Sequence, residues 1–177
     1  ASTRVAETAS GAGNSEVFND SEGVLMLEIS RLNKADTSSI ITSINDGSLT
    51  NCIALYYNAN GVAYDILNSA GERSGSFPMS TSNQSNFNKI ALKYKSQSIS
   101  LFVNGFEVHT NSGTLSLSGL NSLEFNHGNN AFDFYGKTKE IGYYNTILTD
   151  LELETLTSYK SWTSMVNELN LNIIYNG

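Results

Sequence analysis

The sequence predicts an all-β protein, a sandwich of two antiparallel sheets, and three observations lead to this fold class. Apolar and polar residues alternate along many short segments, which is the period of a half-buried strand. These segments recur about every 8–12 residues, with Asn, Asp and Gly turns between them. Charged residues make up only 15% of the chain, whereas Tyr, Phe, Ser, Thr and Asn are abundant, as in strands and turns.

The clearest element is a hairpin at 88–110. Apolar side chains alternate on both sides of a polar turn, which predicts two strands that are half buried and half solvated. Asn104 and Gly105 supply the positive φ that a tight turn needs before a third strand at 106–110. The predicted core side chains are Ile90, Leu92, Tyr94, Ile99, Leu101 and Val103, and the opposite, solvated face carries Lys89, Ala91, Lys93, Lys95, Ser98, Ser100, Phe102 and Asn104.

Further strands are predicted in chain order, with turn residues separating them. Pro78 indicates that the strand around it lies at a sheet edge or ends there, because proline cannot donate to a strand ladder. The predicted ranges are 22–31, 38–44, 51–57, 62–67, 73–79, 115–117, 122–126 and 137–144.

The end of the chain changes character and predicts helix. Thr149 and Glu152 fit a capping box, in which Thr149 is the N-cap and Glu152 reaches back to it. This helix is expected to run to about residue 160, followed by a second short helix that begins near Ser161 and a last strand at 171–175. The residues at helical spacings are Leu151, Leu153, Leu156 and Tyr159 in the first helix, and Trp162, Met165 or Val166, and Leu169 in the second.

Charge and cysteine content narrow the classes of function. The formal charge is −7 and the basic residues are scattered, so the chain lacks the basic patch with which proteins bind nucleic-acid backbones. Cys52 is the only cysteine, so no intramolecular disulfide can form, and its apolar neighbours predict a buried side chain. No apolar run approaches the ~20 residues of a membrane-spanning helix, and the first residues lack a hydrophobic signal core. We expect neither nucleic acid binding nor membrane insertion.

Several segments, taken in order, resemble a known kind of module. The hairpin has the form I-A-L-x-Y-x-…-L-x-V-N-G-x-x-V, and residues 134–157 read F-Y-G-K-T-K-E-I-G-Y-Y-N-T-I-L-T-D-L-E-L-E-T-L-T. Five further segments belong to the same pattern. They are the opening A-S-T-R-V-A-E-T, S-E-G-V-L-M-L-E-I at 21–29, I-N-D-G at 44–47, N-C-I-A-L at 51–55 and the tail W-T-S-M-V-N-E-L-N-L-N-I-I. This order is similar to that of laminin G-like, concanavalin A-like domains in bacteriophage structural and tail-fibre proteins, and the resemblance covers nearly the whole chain.

The resemblance implies one domain at 1–177, a concanavalin A-like jelly roll with a helical tail segment at about 149–169. It also implies a virion surface or tail-fibre setting, outside the cell, where such domains bind glycans or serve in adhesion and assembly. Because the chain starts at Ala1 without Met, we expect it to be a piece of a longer fibre protein. A homo-oligomer is left open.

An enzymatic function rests on one acidic triplet. Related sandwich glucanases carry E-x-D-x-E on a strand, where period two places all three carboxylates on one face above a sugar. Asp150, Glu152 and Glu154 have a similar spacing. However, residues two apart in a helix are turned by about 200°, so the predicted capping box argues against a shared face. We expect no catalysis, and a glycoside hydrolase-like activity is the third choice.

The best candidate for sugar binding is the segment 127–135, HGNNAFDFY. Sugar sites combine an aromatic ring, for the apolar face of the pyranose, with amide, carboxylate and backbone groups for its hydroxyls. Tyr56, Tyr57 and Tyr64 could add rings from a sheet face, although half of the aromatics on any strand face the core. The predicted carbohydrate-binding residues are His127, Asn129, Asn130, Asp133, Tyr135 and Tyr57.

A calcium ion is the one cofactor that the resemblance implies, since laminin G-like domains often hold Ca²⁺ at the rim. Calcium prefers oxygen ligands, and the candidates are Asp46, Asp65 and Asp133. The alternative is that these side chains stabilise turns. His109 and His127 are predicted to be separate polar surface residues rather than a metal pair.

The leading hypothesis is a non-catalytic recognition domain that binds a glycan or cell-surface polysaccharide, with other virion proteins as further partners. The alternative is a structural module that decorates or trimerises a fibre and binds no sugar. An exposed ring beside Asp133 would favour binding. A large flat apolar surface near Trp162 and Leu169 would favour assembly.

Overall fold

The computed structural model describes residues 12–32, 40–127 and 133–158, which form ten strands and two helices. The strands are β1 Glu22–Arg31, β2 Ile40–Asn45, β3 Cys52–Asn58, β4 Gly61–Leu67, β5 Arg73–Pro78, β6 Asn88–Lys95, β7 Ile99–Val103, β8 Phe106–Asn111, β9 Ser122–Glu124 and β10 Gly136–Tyr144, and the helices are α1 Thr81–Gln84 and α2 Asp150–Ser158. Sheet A has the strand order β5-β4-β3-β2-β9, and sheet B has the order β10-β1-β6-β7-β8. All pairs are antiparallel, and β1–β6 and β2–β9 join strands that are distant in sequence, so the chain crosses repeatedly between the sheets.

The core lies between the two sheets and is built from alternate residues of each strand. Period two places one set of side chains inward on every strand. The buried set from sheet B is Leu25, Leu27, Ile29, Ile90, Leu92, Tyr94, Ile99, Leu101 and Val103, and that from sheet A is Ile44, Ile53, Leu55, Tyr57, Val62, Tyr64 and Ile66. The predicted inward residues of the hairpin are therefore confirmed.

The predicted turn between β7 and β8 is also confirmed. Asn104 has φ of 49° and Gly105 has φ of 90°, so both central residues are left-handed, as a two-residue hairpin turn requires. The Gly105 N–H donates to Thr157 Oγ1 at 3.0 Å, which ties this turn to helix α2.

The expected solvent face of the hairpin is instead covered by α2. Val24, Met26, Ala91 and Phe102 form a second apolar cluster with Leu153 of the helix. Lys93 is only 7% exposed and pairs with Asp150 at the start of α2. The expectation of a solvated face was wrong for four residues, because the helix adds a third layer that strand periodicity alone cannot reveal. The four buried residues are Ala91, Lys93, Ser100 and Phe102. The helix does not bury all its apolar residues, since Leu151 is 73% exposed.

The predicted capping box starts α2. Thr149 N–H donates to Glu152 Oε2 at 2.8 Å, and Glu152 N–H donates to Thr149 Oγ1 at 3.3 Å. These bonds satisfy backbone donors that the first helical turn leaves without partners. They also hold the pKa of Glu152 below its usual value, through the side-chain bond to Thr149 first.

Thr149→Ala is expected to lower the free energy of unfolding by about 1 kcal/mol, because it removes the N-cap oxygen. Thr149→Ser keeps that oxygen and is the matched control, expected to stay near the wild type. Urea unfolding monitored by circular dichroism compares the three proteins. Equal stability of the Ala and Ser variants would contradict a capping role for the hydroxyl.

Two parts of the fold differ from the sequence prediction. Residues 115–117 form no strand, because their backbone bonds to side chains instead: Leu115 N–H to Ser96 Oγ at 3.3 Å and Ser116 N–H to Asn68 Oδ1 at 3.1 Å. The short helix α1 was not predicted, and Ser80 caps it by accepting from Asn83 N–H.

Pro78 ends the edge strand β5, as expected. The second helix and the last strand that were predicted beyond residue 160 lie outside the described residues.

Within the described ranges, neither helix is long and apolar enough to cross a membrane.

Candidate functional site

Sheet A has a second face, turned away from sheet B, which we call the outer face. Ile41, Cys52 and Ala54 are buried there and form a small apolar cluster with the partly buried Tyr56 and Leu67. This set occupies the positions between the core residues of β2, β3 and β4, as strand alternation requires. The outer face is therefore ordered by its own packing and can position further side chains.

Tyr56 and Asp65 form a hydrogen-bonded pair on the outer face. The register pairs Tyr56 with Ala63 and Ala54 with Asp65, so the two side chains are diagonal neighbours on adjacent strands. The Tyr56 hydroxyl donates to Asp65 Oδ2 at 2.8 Å. Both alanines are buried and short, so the half-buried tyrosine ring and the carboxylate are what this part of the face offers to a ligand.

The Asp65 carboxylate lies in an environment that disfavours its charge. Burial raises its pKa above the usual value, and the nearby Glu72 carboxylate adds to the rise. The hydrogen bond from Tyr56 and the proximity of His127 act in the opposite direction. Burial also raises the pKa of Tyr56, followed by the charge of Asp65, so the phenol stays a donor at neutral pH.

The segment after β9 borders this pair. Ser43 Oγ donates to the Asn126 carbonyl oxygen at 2.6 Å, which anchors the segment to the outer face of β2. The next residue, His127, is close enough to Asp65 to lower its pKa. The structure thus brings together His127 and Asp65, which the sequence placed in two separate predicted sites, one for sugar and one for metal.

A depression of about 400 Å³ lies on the same side, where β3 begins and β4 ends, at the opposite end of these strands from the turn that joins them. Leu67 joins the two regions, because it packs in the same cluster as Tyr56 and also lines the depression. On the other side of β4, β5 adds the exposed hydroxyls of Ser74 and Ser76 beside Asp65 and Ala63. The residues lining the depression are Leu49, Thr50, Asn51, Leu67, Asn68, Ser69 and Glu72.

The prediction that Tyr57 presents a ring to a sugar was wrong. Its side chain is 0% exposed and lies in the core between the sheets. Its hydroxyl donates to the Ile29 carbonyl oxygen at 3.3 Å and accepts from Asn88 Nδ2 at 3.0 Å. Tyr64 is equally buried, and its hydroxyl lies 3.4 Å from His109 Nδ1. Tyr56 is the tyrosine of the three that occupies the outer face.

The segment 127–135 is only partly described. Asn129 and Asn130 lie outside the described residues, and nothing in the structure tests them. Asp133 is exposed, and Tyr135 is 42% exposed, so an accessible ring does lie near Asp133. Phe134 between them packs against the core and against Phe125, with ring centroids 5.3 Å apart.

The predicted metal ligands do not meet in one place. Asp46 Oδ1 accepts from the Ser48 N–H at 2.9 Å and from its hydroxyl at 2.6 Å, and Oδ2 accepts from Asn51 Nδ2 at 3.2 Å. These bonds stabilise a turn, which was the alternative interpretation. Over residues 12–32, 40–127 and 133–158, no three His, Cys, Asp or Glu side chains cluster in a way that could hold a metal ion.

The acidic triplet of α2 is not arranged as in a strand-based catalytic site. Asp150, Glu152 and Glu154 all lie on the helix. Asp150 pairs with Lys93 and Glu152 caps the helix, so these two carboxylates have structural partners. His109 lies beside Tyr64 rather than on the open surface that was expected for it.

Sequence reasoning named Tyr56 only as one of three possible rings, chose Tyr57 for the site, and missed Glu72 and the depression. The sequence of β3 does contain a signal for which side chains face the core. Of its two alternate sets, Ile53, Leu55 and Tyr57 are the bulkier one. The smaller set is Cys52, Ala54 and Tyr56. The bulkier set fills a core better, so this contrast points to Tyr56 as the outward ring. Glu72 carries no such local signal, since its place beside Asp65 depends on the β4–β5 turn.

No family model and no curated protein matches this chain. Among solved structures, it is similar to Ruminococcus gnavus IT-sialidase CBM40 bound to α2,3-sialyllactose, with a TM-score of 0.64, 21% identity, and 84% of this chain and 93% of that chain covered. It is also similar to the heptameric SAP-like pentraxin from Limulus polyphemus, with a TM-score of 0.63, 10% identity, and coverage of 86% and 76%.

A third likeness is to the binding domain of botulinum neurotoxin DC in complex with SialylT, with a TM-score of 0.61 and 11% identity. The match covers 85% of this chain and 41% of the toxin chain. At these identities the likenesses establish the fold alone. The chain folds as a lectin-like jelly-roll β-sandwich.

Proposed function

We propose that this chain is a non-catalytic recognition domain that binds carbohydrate on the outer face of sheet A. In this proposal Tyr56 stacks on a sugar ring, Asp65 accepts hydrogen bonds from its hydroxyls, and the depression receives a neighbouring sugar. His127, whose charge acts on Asp65, borders the site on the β9 side.

The observation that carries this proposal is the hydrogen bond between Tyr56 and Asp65 on a face that continues into a depression. An aromatic ring held next to a carboxylate matches the two surfaces of a sugar, one apolar and one rich in hydroxyls. Solved domains of the same fold include the CBM40 bound to α2,3-sialyllactose and the toxin binding domain in complex with SialylT, which supports this class of ligand.

A glycan array with the 177-residue chain tests the proposal. We expect specific binding by the wild type and a loss of about tenfold or more in Tyr56→Ala, because the stacking ring contributes on the order of 1–2 kcal/mol. Tyr144→Ala removes a partly exposed tyrosine from the end of β10 in sheet B and is the matched control, expected to bind like the wild type.

The possible results of the array test the position of the site and the binding of carbohydrate separately. Binding that survives in Tyr56→Ala but falls in Asp133→Ala would place the site in the segment 127–135 and contradict a site on the outer face. A blank array with folded protein would contradict carbohydrate binding itself. Repeating the array with calcium and with a chelator tests the ion that the family resemblance implies, since a calcium-held site would lose binding with the chelator.

We also propose that the domain is displayed on a virion surface or tail fibre, outside the cell and next to other virion proteins. The support is the order of motifs along the chain, from the S-E-G-V-L-M-L-E-I strand to the L-T-D-L-E-L-E-T-L-T helix. Antibody labelling of phage particles from the source of the sequence checks this setting. Particles that carry no label anywhere would contradict it.

The alternative function is a structural module that binds no sugar. It is favoured by two strongly exposed apolar side chains, Phe106 at 71% and Leu151 at 73%, which a partner surface could cover. Light scattering after size-exclusion chromatography distinguishes the two functions. A defined oligomer together with a blank array would favour the structural module.

A further inference from the structure

Basic side chains are concentrated on sheet B, where they are accompanied by the carboxylates of Glu22, Glu28, Glu107 and Glu140. The described lysines and arginines lie on strands of sheet B, with the exception of Arg73 on β5; those of sheet B are Arg31, Lys89, Lys93, Lys95, Lys137 and Lys139. The outer face of sheet A and its loops instead carry carboxylates. Asp65 lies at the centre, Glu124 on the edge strand β9, and Asp46 and Glu72 at the depression.

Contacts between described residues place these carboxylates on one side of the sheet. Glu124 Oε2 lies 3.5 Å from Asn45 Nδ2, and that amide also donates to the buried Ser43 Oγ on the same face. Asp46 accepts from Asn51, which lines the depression together with Glu72. A ligand on Tyr56 would therefore meet negative potential from several directions.

Arg73, the cation that the described part of sheet A carries, is hydrogen-bonded to loop backbone rather than to these carboxylates. Arg73 Nη1 donates to the Glu72 carbonyl oxygen at 2.7 Å, and its Nη2 donates to the Ala70 carbonyl oxygen at 3.2 Å. Its Nε is buried beside Gly113, where a Cβ on that glycine would come within 2.0 Å of it. The guanidinium is thus committed to loop backbone and does not point its donors at Asp65.

We infer that the site takes neutral oligosaccharides and discriminates against sialylated and other anionic glycans. This inference rests on the proposed function and names the substrate class of the same site. A sialic acid carries a full negative charge at neutral pH, and bringing it beside several carboxylates is unfavourable. The hydroxyls of a neutral sugar instead donate to a carboxylate in a charge-assisted hydrogen bond. The sialylated ligands of the fold's solved relatives therefore do not transfer to this face.

Matched glycan pairs test the inference, each pair consisting of a neutral glycan and the same glycan with a terminal α2,3- or α2,6-linked sialic acid. We expect the neutral member to bind more tightly by about tenfold at low salt, because the carboxylates repel the added charge. Raising the salt from about 0.05 M to about 0.5 M is expected to narrow this ratio, since screening weakens the repulsion. A ratio that salt does not change would assign the preference to shape and overturn the inference.

Glu72→Lys tests the same electrostatics through the protein. It reverses one exposed charge at the depression and is expected to lower the neutral-to-sialylated affinity ratio by about threefold or more. Glu154→Lys makes the same change in net charge on α2, against sheet B, and is expected to leave the ratio as in the wild type. Equal ratios in both variants would overturn the inference.

The remaining outcomes distinguish the inference from the proposed function. Tighter binding of the sialylated member of each pair would overturn the inference and leave the proposed function standing. Binding to neither member of any pair on a broad array would overturn the proposed function and the inference with it.

Discussion

Replacing Tyr57 by alanine is expected to lower the free energy of unfolding by about 3–5 kcal/mol, the cost of deleting a large buried aromatic ring. The ring is 0% exposed and packs in the core between the sheets. The substitution leaves a cavity that close-packed neighbours fill only in part. It also removes the hydroxyl that Asn88 and the Ile29 carbonyl contact, which adds to the loss.

Two comparisons isolate the cause, with urea unfolding as the measurement. Tyr57→Phe keeps the ring and is expected to cost about 1 kcal/mol, the net value of a hydrogen bond. Tyr56→Ala removes the neighbouring, half-buried ring and is expected to cost less than Tyr57→Ala while weakening glycan binding. A Tyr57→Ala protein with wild-type stability and weakened binding would contradict the core position of Tyr57.

Asp65→Asn is expected to weaken glycan affinity by about tenfold or more. The reason is that the amide cannot replace a charge-assisted acceptor for two sugar hydroxyls. The same variant is expected to be more stable than the wild type at neutral pH. Burial raises the pKa of Asp65, so the folded protein holds this charge at a cost that the neutral amide avoids. The amide oxygen can still accept from the Tyr56 hydroxyl, so the ring stays in place.

The pH dependence follows from the direction of the pKa shift. Below about pH 3.9, the usual aspartate pKa, the side chain is neutral in both states and the carboxylate carries no penalty. As the pH rises from there to the raised folded pKa, the folded state binds more protons than the unfolded state, so the wild type loses stability. The stability gain of Asp65→Asn is therefore expected at neutral pH and absent at pH values below the usual aspartate pKa.

Glu107→Gln is the control for Asp65→Asn, since it removes an exposed carboxylate from β8 of sheet B. We expect it to leave glycan binding as in the wild type. A glycan titration compares the two variants, and thermal unfolding at a series of pH values measures the stability gain of Asp65→Asn. A stability gain for Asp65→Asn that is equally large in acid would show that desolvation of the charge is not its cause.

Local pattern was sufficient for much of the sandwich. The alternation at Ile90, Leu92 and Tyr94 and the Asn104-Gly105 turn depend on residues close in sequence, and the structure contains both. The same is true of the capping box at Thr149. The third layer could not be predicted this way, because Lys93 and Phe102 are buried by a helix that begins more than 45 residues later in the chain.

The candidate site depends even more on contacts distant in sequence. His127 and Asp65 come together because β9 pairs with β2 at the edge of sheet A, a pairing that strand alternation does not specify. Tyr56 and Tyr57 are adjacent and of the same residue type, so the choice between them depends on which face of β3 turns outward. Tyr57 was predicted to face a ligand, whereas in the structure Tyr57 lies in the core and Tyr56 on the outer face. Asp46 was assigned to a metal because turn-stabilising and cation-binding aspartates look alike in sequence.

The most direct test of a glycan site on the outer face is a nuclear magnetic resonance titration with a glycan that the array identifies. The amide signals that should shift are those of Tyr56, Asp65 and Ser74, together with Asn68 and Glu72 at the depression. Signals from β6 to β8, on the other sheet, should stay in place. Shifts confined to sheet B, with the outer face of sheet A unchanged at saturating glycan, would contradict the account.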